Sequence, residues 1–147
     1  MGVRGFENSL EYLTTNDWAL IAPKAERVVF GLGQEIIVQG TPIKFVYIIR
    51  AGSASVELAT PHSTVVLAVL KKDDVCGELG FLHKGIASAT VVAKDIEVVA
   101  DSIRVDDLRQ LTGAFPGFAA RFFESLATML ARRLQHALAE LIRNGQV

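Results

Sequence analysis

The chain has 147 residues, 50% of them hydrophobic, and a formal net charge of −1 from 15 lysines and arginines against 16 aspartates and glutamates. These values predict one domain, residues 1–147, and argue against sequence-independent DNA binding, which needs many basic contacts to phosphates. The single cysteine, Cys76, excludes an intramolecular disulfide, and no apolar run is long enough for a signal peptide or a membrane span. We therefore expect a cytoplasmic protein without a membrane partner.

Two short helices are predicted within residues 8–22, over Asn8–Leu13 and Thr15–Ala22. Thr15 is a suitable N-cap for the second helix, and Asp17 in its first turn favours the helix dipole. Pro23 ends this segment, because the residue before a proline is restricted away from helical geometry.

From Glu26 the apolar pattern changes to that of short β-strands. Five runs rich in β-branched residues follow: ERVVF, EIIV, FVYII, SASVEL and TVVLAVL. Turn-forming residues separate them at Gly31–Gly33, Gln39–Pro42, Ala51–Gly52 and Thr60–His62. Two later runs, Ser88–Ala93 and Glu97–Ser102, complete the set. This even spacing predicts an antiparallel sandwich or roll over residues 26–102.

Residues 104–142 are predicted to be helical. A short helix starts at Asp106 or Asp107 and ends near Leu111. Gly113 suits the C-terminal cap of this helix, and Pro116 cannot continue it.

The segment Phe118–Ile142 is the clearest helix of the sequence. One apolar stripe recurs at spacings of about four and three, as in a coiled coil. We call this stripe the seam: Phe123, Ala127, Leu130, Leu134, Ala137 and Leu141. A second stripe lies beside it: Phe118, Phe122, Leu126 and Met129. Because a lone helix does not need two apolar faces, we predict that the second stripe faces the roll and the seam forms a homodimer interface. Alternatively, both stripes pack within one subunit.

The segment Cys76–Ala93, CGELGFLHKGIASATVVA, separates the strand-rich part from the helical part. A tight turn at Gly77 precedes a carboxylate, Glu78, and one apolar helical turn, Leu79–Leu82. A loop and a β-rich run follow. This order of residues resembles the phosphate-binding cassette of the cyclic nucleotide-binding domain family.

The resemblance covers residues 10–142. Glycines stand where the turns of the family's β-roll have them, and Asp74 stands where the family often has an aspartate. The glycines are Gly33, Gly40 and Gly52. The run MLARRLQ, Met129–Gln135, is similar to the long C-helix of the bacterial catabolite-activator branch.

The resemblance implies a mainly β fold with flanking helices. It is a double-stranded β-helix, or jelly roll, with short N-terminal helices and a long C-terminal dimerisation helix. It implies a ligand, cAMP, cGMP or another small anion, but no further cofactor. In the family a glutamate accepts the ribose hydroxyl, and Glu78 matches it. The implied ligand-binding residues are Gly77, Glu78, Leu79, Ala87, Ser88 and Ala89.

Two departures from the family pattern concern the ligand. Ala87 occupies the place of the arginine that pairs with the phosphate, so Ser88 or Lys84 would have to supply other contacts. Ala137 and Leu138 occupy the places of two hydroxyl residues that contact adenine in the catabolite-activator branch, and neither side chain can hydrogen-bond.

Other chemistry is not expected. The three histidines, at positions 62, 83 and 136, are scattered, which argues against a metal site, and no nucleophile–base or carboxylate pair indicates an enzyme. Cys76 reads as a small buried apolar residue. Because the chain ends at Val147, soon after the C-helix, we expect no DNA-binding domain and no DNA binding.

Two functions remain open from the sequence. The first is a stand-alone sensory domain that binds a small anion and signals through its C-helix, with a protein effector as a further partner. The second is a degenerate domain without a ligand, which serves dimerisation or protein interaction.

Overall fold

The computed structural model describes residues 10–83 and 85–145. Its four helices are α1 (Thr15–Ile21), α2 (Glu78–Leu82), α3 (Val105–Ala114) and α4 (Pro116–Arg143), and a 3-10 turn spans Ala22–Lys24. Its first four strands are β1 (Ala25–Gly31), β2 (Glu35–Ile37), β3 (Phe45–Ala51) and β4 (Ala54–Ala59). The other four are β5 (Thr64–Leu70), β6 (Val75–Cys76), β7 (Thr90–Ala93) and β8 (Glu97–Arg104).

The strands form two four-stranded antiparallel sheets with the orders β1-β8-β3-β6 and β2-β7-β4-β5. Strands distant in sequence are neighbours in both sheets, as in a jelly roll, in which the chain crosses between layers. The predicted fold class, mainly β with flanking helices and a long C-terminal helix, is confirmed.

The sheet that contains β3 is covered on both faces. Along β3, Val46 and Ile48 belong to an apolar cluster shared with the helices, whereas Tyr47 and Ile49 pack with the other sheet. This alternation follows from the period of two in a β-strand. The molecule therefore has two apolar layers, one inside the roll and one between the roll and the helices.

The start of the described chain differs from the sequence prediction. Residues 10–13 form a turn rather than the end of a helix, because the Leu13 N–H bonds to the Leu10 carbonyl and the Tyr12 N–H donates to Ser125 on α4. Residues 8–9 of the predicted helix lie outside the described residues.

The N-cap of α1 is Thr14 rather than Thr15. The Thr14 hydroxyl accepts the Asp17 N–H, and the Asp17 carboxylate accepts the Thr14 N–H, which is a complete capping box. The sequence offers two adjacent threonines, and the one three residues before Asp17 forms this reciprocal pair.

The break between α3 and α4 also lies elsewhere than predicted. Gly113 is inside α3, which continues to Ala114 and begins at Val105 rather than at Asp106 or Asp107. Pro116 is the first residue of α4, a position where its missing N–H costs no hydrogen bond.

Candidate functional site

The short helix α2 begins at a turn that only glycine fits. Gly77 has φ of +87°, and a Cβ at this position would lie 2.5 Å from the Phe45 carbonyl oxygen. Both facts exclude an ordinary side chain. The turn directs the chain from β6, which pairs with β3, into α2, and it places Glu78 next to the roll.

Aromatic packing connects α2 to α4. The Phe81 ring centroid lies 5.4 Å from that of Phe122 and 5.6 Å from that of Phe123. On its other side α2 is close to the chain before β3, since a Cβ on Gly80 would lie 2.4 Å from the Cβ of Ile43. The position of α2 is therefore coupled to α4 and to the roll.

A cavity of about 220 Å³ lies between α2, α4 and the sheet that contains β4 and β7. All six predicted ligand-binding residues line it, namely Gly77, Glu78, Leu79, Ala87, Ser88 and Ala89. The rest of its wall is Ile37, Ile43, Val56, Ala68, Leu70, Cys76, Val91, Leu130 and Arg133. The structure thus brings the predicted residues together around one space, and their role in binding stays a prediction.

One charged residue of this wall was not predicted. Arg133 of α4 donates from Nη1 to Glu78 Oε1 at 2.7 Å and from Nη2 to the Val75 carbonyl at 2.7 Å. The sequence offers one signal for this residue, since a charged residue stands one position before the seam residue Leu134.

The Glu78 carboxylate is in an unusual environment for a surface-helix glutamate. Its side chain is 7% exposed. Burial raises the pKa of Glu78 above its ordinary value, and the Arg133 guanidinium offsets only part of this effect. A hydroxyl donor in the cavity would find a buried acceptor here, as the proposed ribose contact requires.

Ala87 is 3% exposed, and its backbone N–H is not available to an anion. Its N–H donates to the Thr41 carbonyl, and its carbonyl accepts the Gly40 N–H, both at 2.9 Å. Ser88 is exposed at the edge of the cavity and has no hydrogen-bond partner in residues 10–83 and 85–145. Lys84, the other predicted source of an anion contact, lies outside the described residues.

The contribution of α4 to the cavity is limited to Leu130 and Arg133 within the described part of the chain. Leu138 is 49% exposed, and Ala137 is exposed beside it. The two positions that carry adenine-contacting hydroxyls in the catabolite-activator branch therefore lie outside this cavity.

The two apolar stripes of α4 have different surroundings. Every residue of the second stripe is at most 3% exposed: Phe118, Phe122, Leu126 and Met129. Five seam residues are exposed: Phe123, Ala127, Leu134, Ala137 and Leu141. Two seam residues have contacts within the subunit, because Phe123 stacks on Phe81 and Leu130 packs against the core. The homodimer stays a prediction.

Residues 10–83 and 85–145 contain neither a candidate metal site nor a membrane-spanning helix. No cluster of three or more histidine, cysteine, aspartate or glutamate side chains could hold a metal ion. No helix has the length and apolar character that crossing a membrane requires.

Cys76 is buried in the cavity wall, as expected. Burial raises the pKa of its thiol far above the ordinary value, and the nearby Glu78 carboxylate adds to the effect. The thiol therefore stays protonated at neutral pH.

Comparisons with known proteins give consistent results. The family described as "Cyclic nucleotide-binding domain" matches residues 27–114. The chain is 29% identical to "Cyclic GMP-binding protein C" of Dictyostelium discoideum, over 89% of this chain and 5% of that protein. It is 30% identical to "Glutaminase 2" of Bradyrhizobium diazoefficiens, over 93% of this chain and 21% of that protein. The chain thus spans only a small fraction of either curated relative.

A solved structure shows the same fold. It is a cyclic nucleotide-binding domain from Methylobacillus flagellatus, which superposes with a TM-score of 0.83 at 17% identity over 95% of this chain and 83% of that one. The match to the family over residues 27–114 covers more than half of the chain and confirms the family that the sequence predicted. The chain belongs to the cyclic nucleotide-binding domain family.

Proposed function

We propose that this domain is a sensory module whose cavity binds a small anionic ligand of the cyclic nucleotide class, and that it signals through α4. The observation that carries the proposal is the convergence of all six predicted ligand-binding residues on one cavity. They come from two segments about ten residues apart in sequence, so the fold of the cassette is what brings them to the same cavity.

The chemistry of the wall suits such a ligand. Glu78 provides a buried acceptor for a sugar hydroxyl, Ser88 provides an unengaged hydroxyl and N–H, and Arg133 provides a positive charge. The other lining side chains are apolar, as contact with a flat base requires. One relative is a cyclic GMP-binding protein by its name, which favours testing cGMP together with cAMP.

The signalling half of the proposal rests on contacts between the cassette and α4. Phe81 stacks on α4, and Glu78 pairs with Arg133, so a shift of α2 on binding would change both contacts. The exposed seam then provides a surface for a second copy of the chain, and a homodimer would transmit the change. A cytoplasmic location and a protein effector complete the proposal.

Isothermal titration calorimetry with cAMP and with cGMP tests the proposal. We expect saturable binding by the wild type and its loss in Glu78→Ala, because this substitution removes the buried hydroxyl acceptor. Thr112→Ala is the control, since Thr112 is not among the residues that line the cavity and its hydroxyl donates to the Arg109 carbonyl of the same helix. Absence of heat with both nucleotides in the folded wild type would refute the proposed ligand class.

The second candidate is a domain that has lost ligand binding and serves as an interaction module. The buried Ala87, with both backbone groups engaged, favours this alternative because no cassette arginine is present to hold a phosphate. A nucleotide that co-purifies with the native protein would argue against it.

A further inference from the structure

The charge of the cavity wall is the starting point. Among the described residues that line the cavity, only Glu78 and Arg133 carry groups that are charged at neutral pH. They come from opposite sides of the cavity, α2 and α4, and their side chains meet at 2.7 Å. Any anion that enters therefore approaches one carboxylate and one guanidinium.

The Arg133 guanidinium retains hydrogen-bonding capacity. Arginine has five N–H donors. Within residues 10–83 and 85–145, Arg133 uses one on the Glu78 carboxylate and one on the Val75 carbonyl. Three donors remain, so the planar group can contact two oxygens of an anion while it keeps its bond to Glu78.

We propose that Arg133 is the residue that binds the anionic group of the ligand, in place of the cassette arginine that Ala87 replaces. This inference rests on the proposed function and specifies its chemistry. The ligand class it selects carries a single negative charge close to a hydroxyl donor, because the anion lies on Arg133 and the hydroxyl on the adjacent Glu78. The apolar part of the ligand then faces apolar side chains of the roll such as Ile37, Val56 and Val91.

The other groups of the cavity wall are weaker candidates for the contact with the anion. Ser88 offers a neutral donor, and hydrogen bonds to anions from charged donors are about twice as strong. The Ala87 N–H already donates to Thr41. The helix α2 has only five residues, so its dipole is small.

The cavity volume indicates what binding must change. About 220 Å³ is below the roughly 300–1,000 Å³ that is typical of small-molecule sites. The bond between Arg133 and Glu78 joins the two sides of the space. Binding of a ligand larger than this space therefore requires side chains of the cavity wall to move, while Arg133 keeps its bond to Glu78.

The neighbouring arginine is a matched control. Arg132 has the same charge one position earlier on α4, but its guanidinium pairs with Glu11 and its side chain is 54% exposed, against 33% for Arg133. Arg132 does not line the cavity. A nonspecific effect of losing one positive charge would be the same at both positions.

Titration calorimetry with cAMP and cGMP on Arg133→Gln and Arg132→Gln tests the assignment. We expect the dissociation constant to rise about ten- to a hundred-fold in Arg133→Gln and less than about two-fold in Arg132→Gln. Adding Ala87→Arg to Arg133→Gln should restore binding by returning a cation to the cassette. Equal affinity of Arg133→Gln and the wild type would overturn the assignment, as would equal losses in the two arginine variants.

Thermal unfolding in increasing inorganic phosphate gives a readout without a nucleotide. Phosphate should raise the Tm of the wild type and of Arg132→Gln, but not of Arg133→Gln. The Tm of the double variant Glu78→Gln/Arg133→Gln should not rise with phosphate either. This variant has no buried carboxylate without a partner, so it replaces Arg133→Gln in the experiment if Arg133→Gln does not fold. A phosphate response without nucleotide binding refutes the nucleotide ligand and keeps Arg133 as the anion site. An equal response in the Arg133 and Arg132 variants overturns the assignment, and no response of the wild type to either probe overturns both proposals.

Discussion

The two halves of α4 have similar apolar content and opposite surroundings. In the first half, residues 116–129, the large apolar side chains that face the roll are at most 3% exposed: Phe118, Phe122, Leu126 and Met129. In the second half, residues 130–143, four large apolar side chains are 39–66% exposed: Leu134, Leu138, Leu141 and Ile142. The apolar pattern continues along the whole helix, but large apolar side chains are buried against the rest of the subunit only in the first half.

Polar contacts follow the same division. The first half is joined to the N-terminal segment by the Arg121–Asp17 ion pair and by the Tyr12–Ser125 hydrogen bond. The second half contacts the cassette through Arg133, and its Arg132 pairs with Glu11, where the arginine side chain is 54% exposed. Among the described residues, the first half therefore has the more deeply buried contacts with the rest of the subunit.

The largest expected effect comes from the first half. Phe122→Ala should lower the free energy of unfolding by about 3–5 kcal/mol, because it leaves a cavity in the layer between roll and helices. Urea denaturation followed by circular dichroism measures this loss.

The matched substitution in the second half is Leu134→Ala. Leu134 is 60% exposed, so at dilute protein the free energy of unfolding should change by at most about 0.5 kcal/mol. Sedimentation equilibrium should instead show weaker self-association, because the substitution removes a seam side chain. Equal destabilisation by the two variants in the monomer would contradict the division of α4.

A smaller loss is expected at the polar contact of the first half. Arg121→Gln leaves the Asp17 carboxylate, 2% exposed, without its charged partner, and should cost about 1–3 kcal/mol. The lower end applies because Arg121 itself is 39% exposed. Arg132→Gln, which breaks an exposed pair, should cost at most about 1 kcal/mol. If Arg132→Gln lowered the free energy of unfolding more than Arg121→Gln, the Asp17–Arg121 pair would not be the main polar contact that stabilises the first half.

Much of this division could be predicted from the sequence, and one part could not. The spacing of Phe118, Phe122, Leu126 and Met129 defines a buried face because helical periodicity is local. The cassette residues could be assigned by resemblance because their order is contiguous. Arg133 could not be assigned, since its partner Glu78 is 55 residues away and nothing local distinguishes it from Arg132. The N-cap of α1 was assigned one residue too late for a different reason: two adjacent threonines can both cap a helix, and only Thr14 lies three residues before Asp17.

The smallest expected effect is on the pH dependence of the free energy of unfolding, which should have opposite signs for Asp17, the partner of Arg121, and Glu78, the partner of Arg133. The Arg121 hydrogen bond holds the pKa of Asp17 below its ordinary value of 3.8, so the stability that Asp17 contributes is present above that pH and is lost as the pH falls through its folded-state pKa. Burial raises the pKa of Glu78 above 4.5, so its contribution is present below pH 4.5 and is lost as the pH rises through its folded-state pKa. Urea denaturation at a series of pH values should therefore show Asp17→Asn becoming worse relative to the wild type as the pH rises from about 2 to 4, and Glu78→Gln becoming better as the pH rises above about 4.5. If the difference in free energy of unfolding between Glu78→Gln and the wild type did not change with pH, Arg133 would fully offset the cost of burying the Glu78 carboxylate. The Arg133–Glu78 contact of the second half of α4 would then be as favourable as the Arg121–Asp17 contact of the first half.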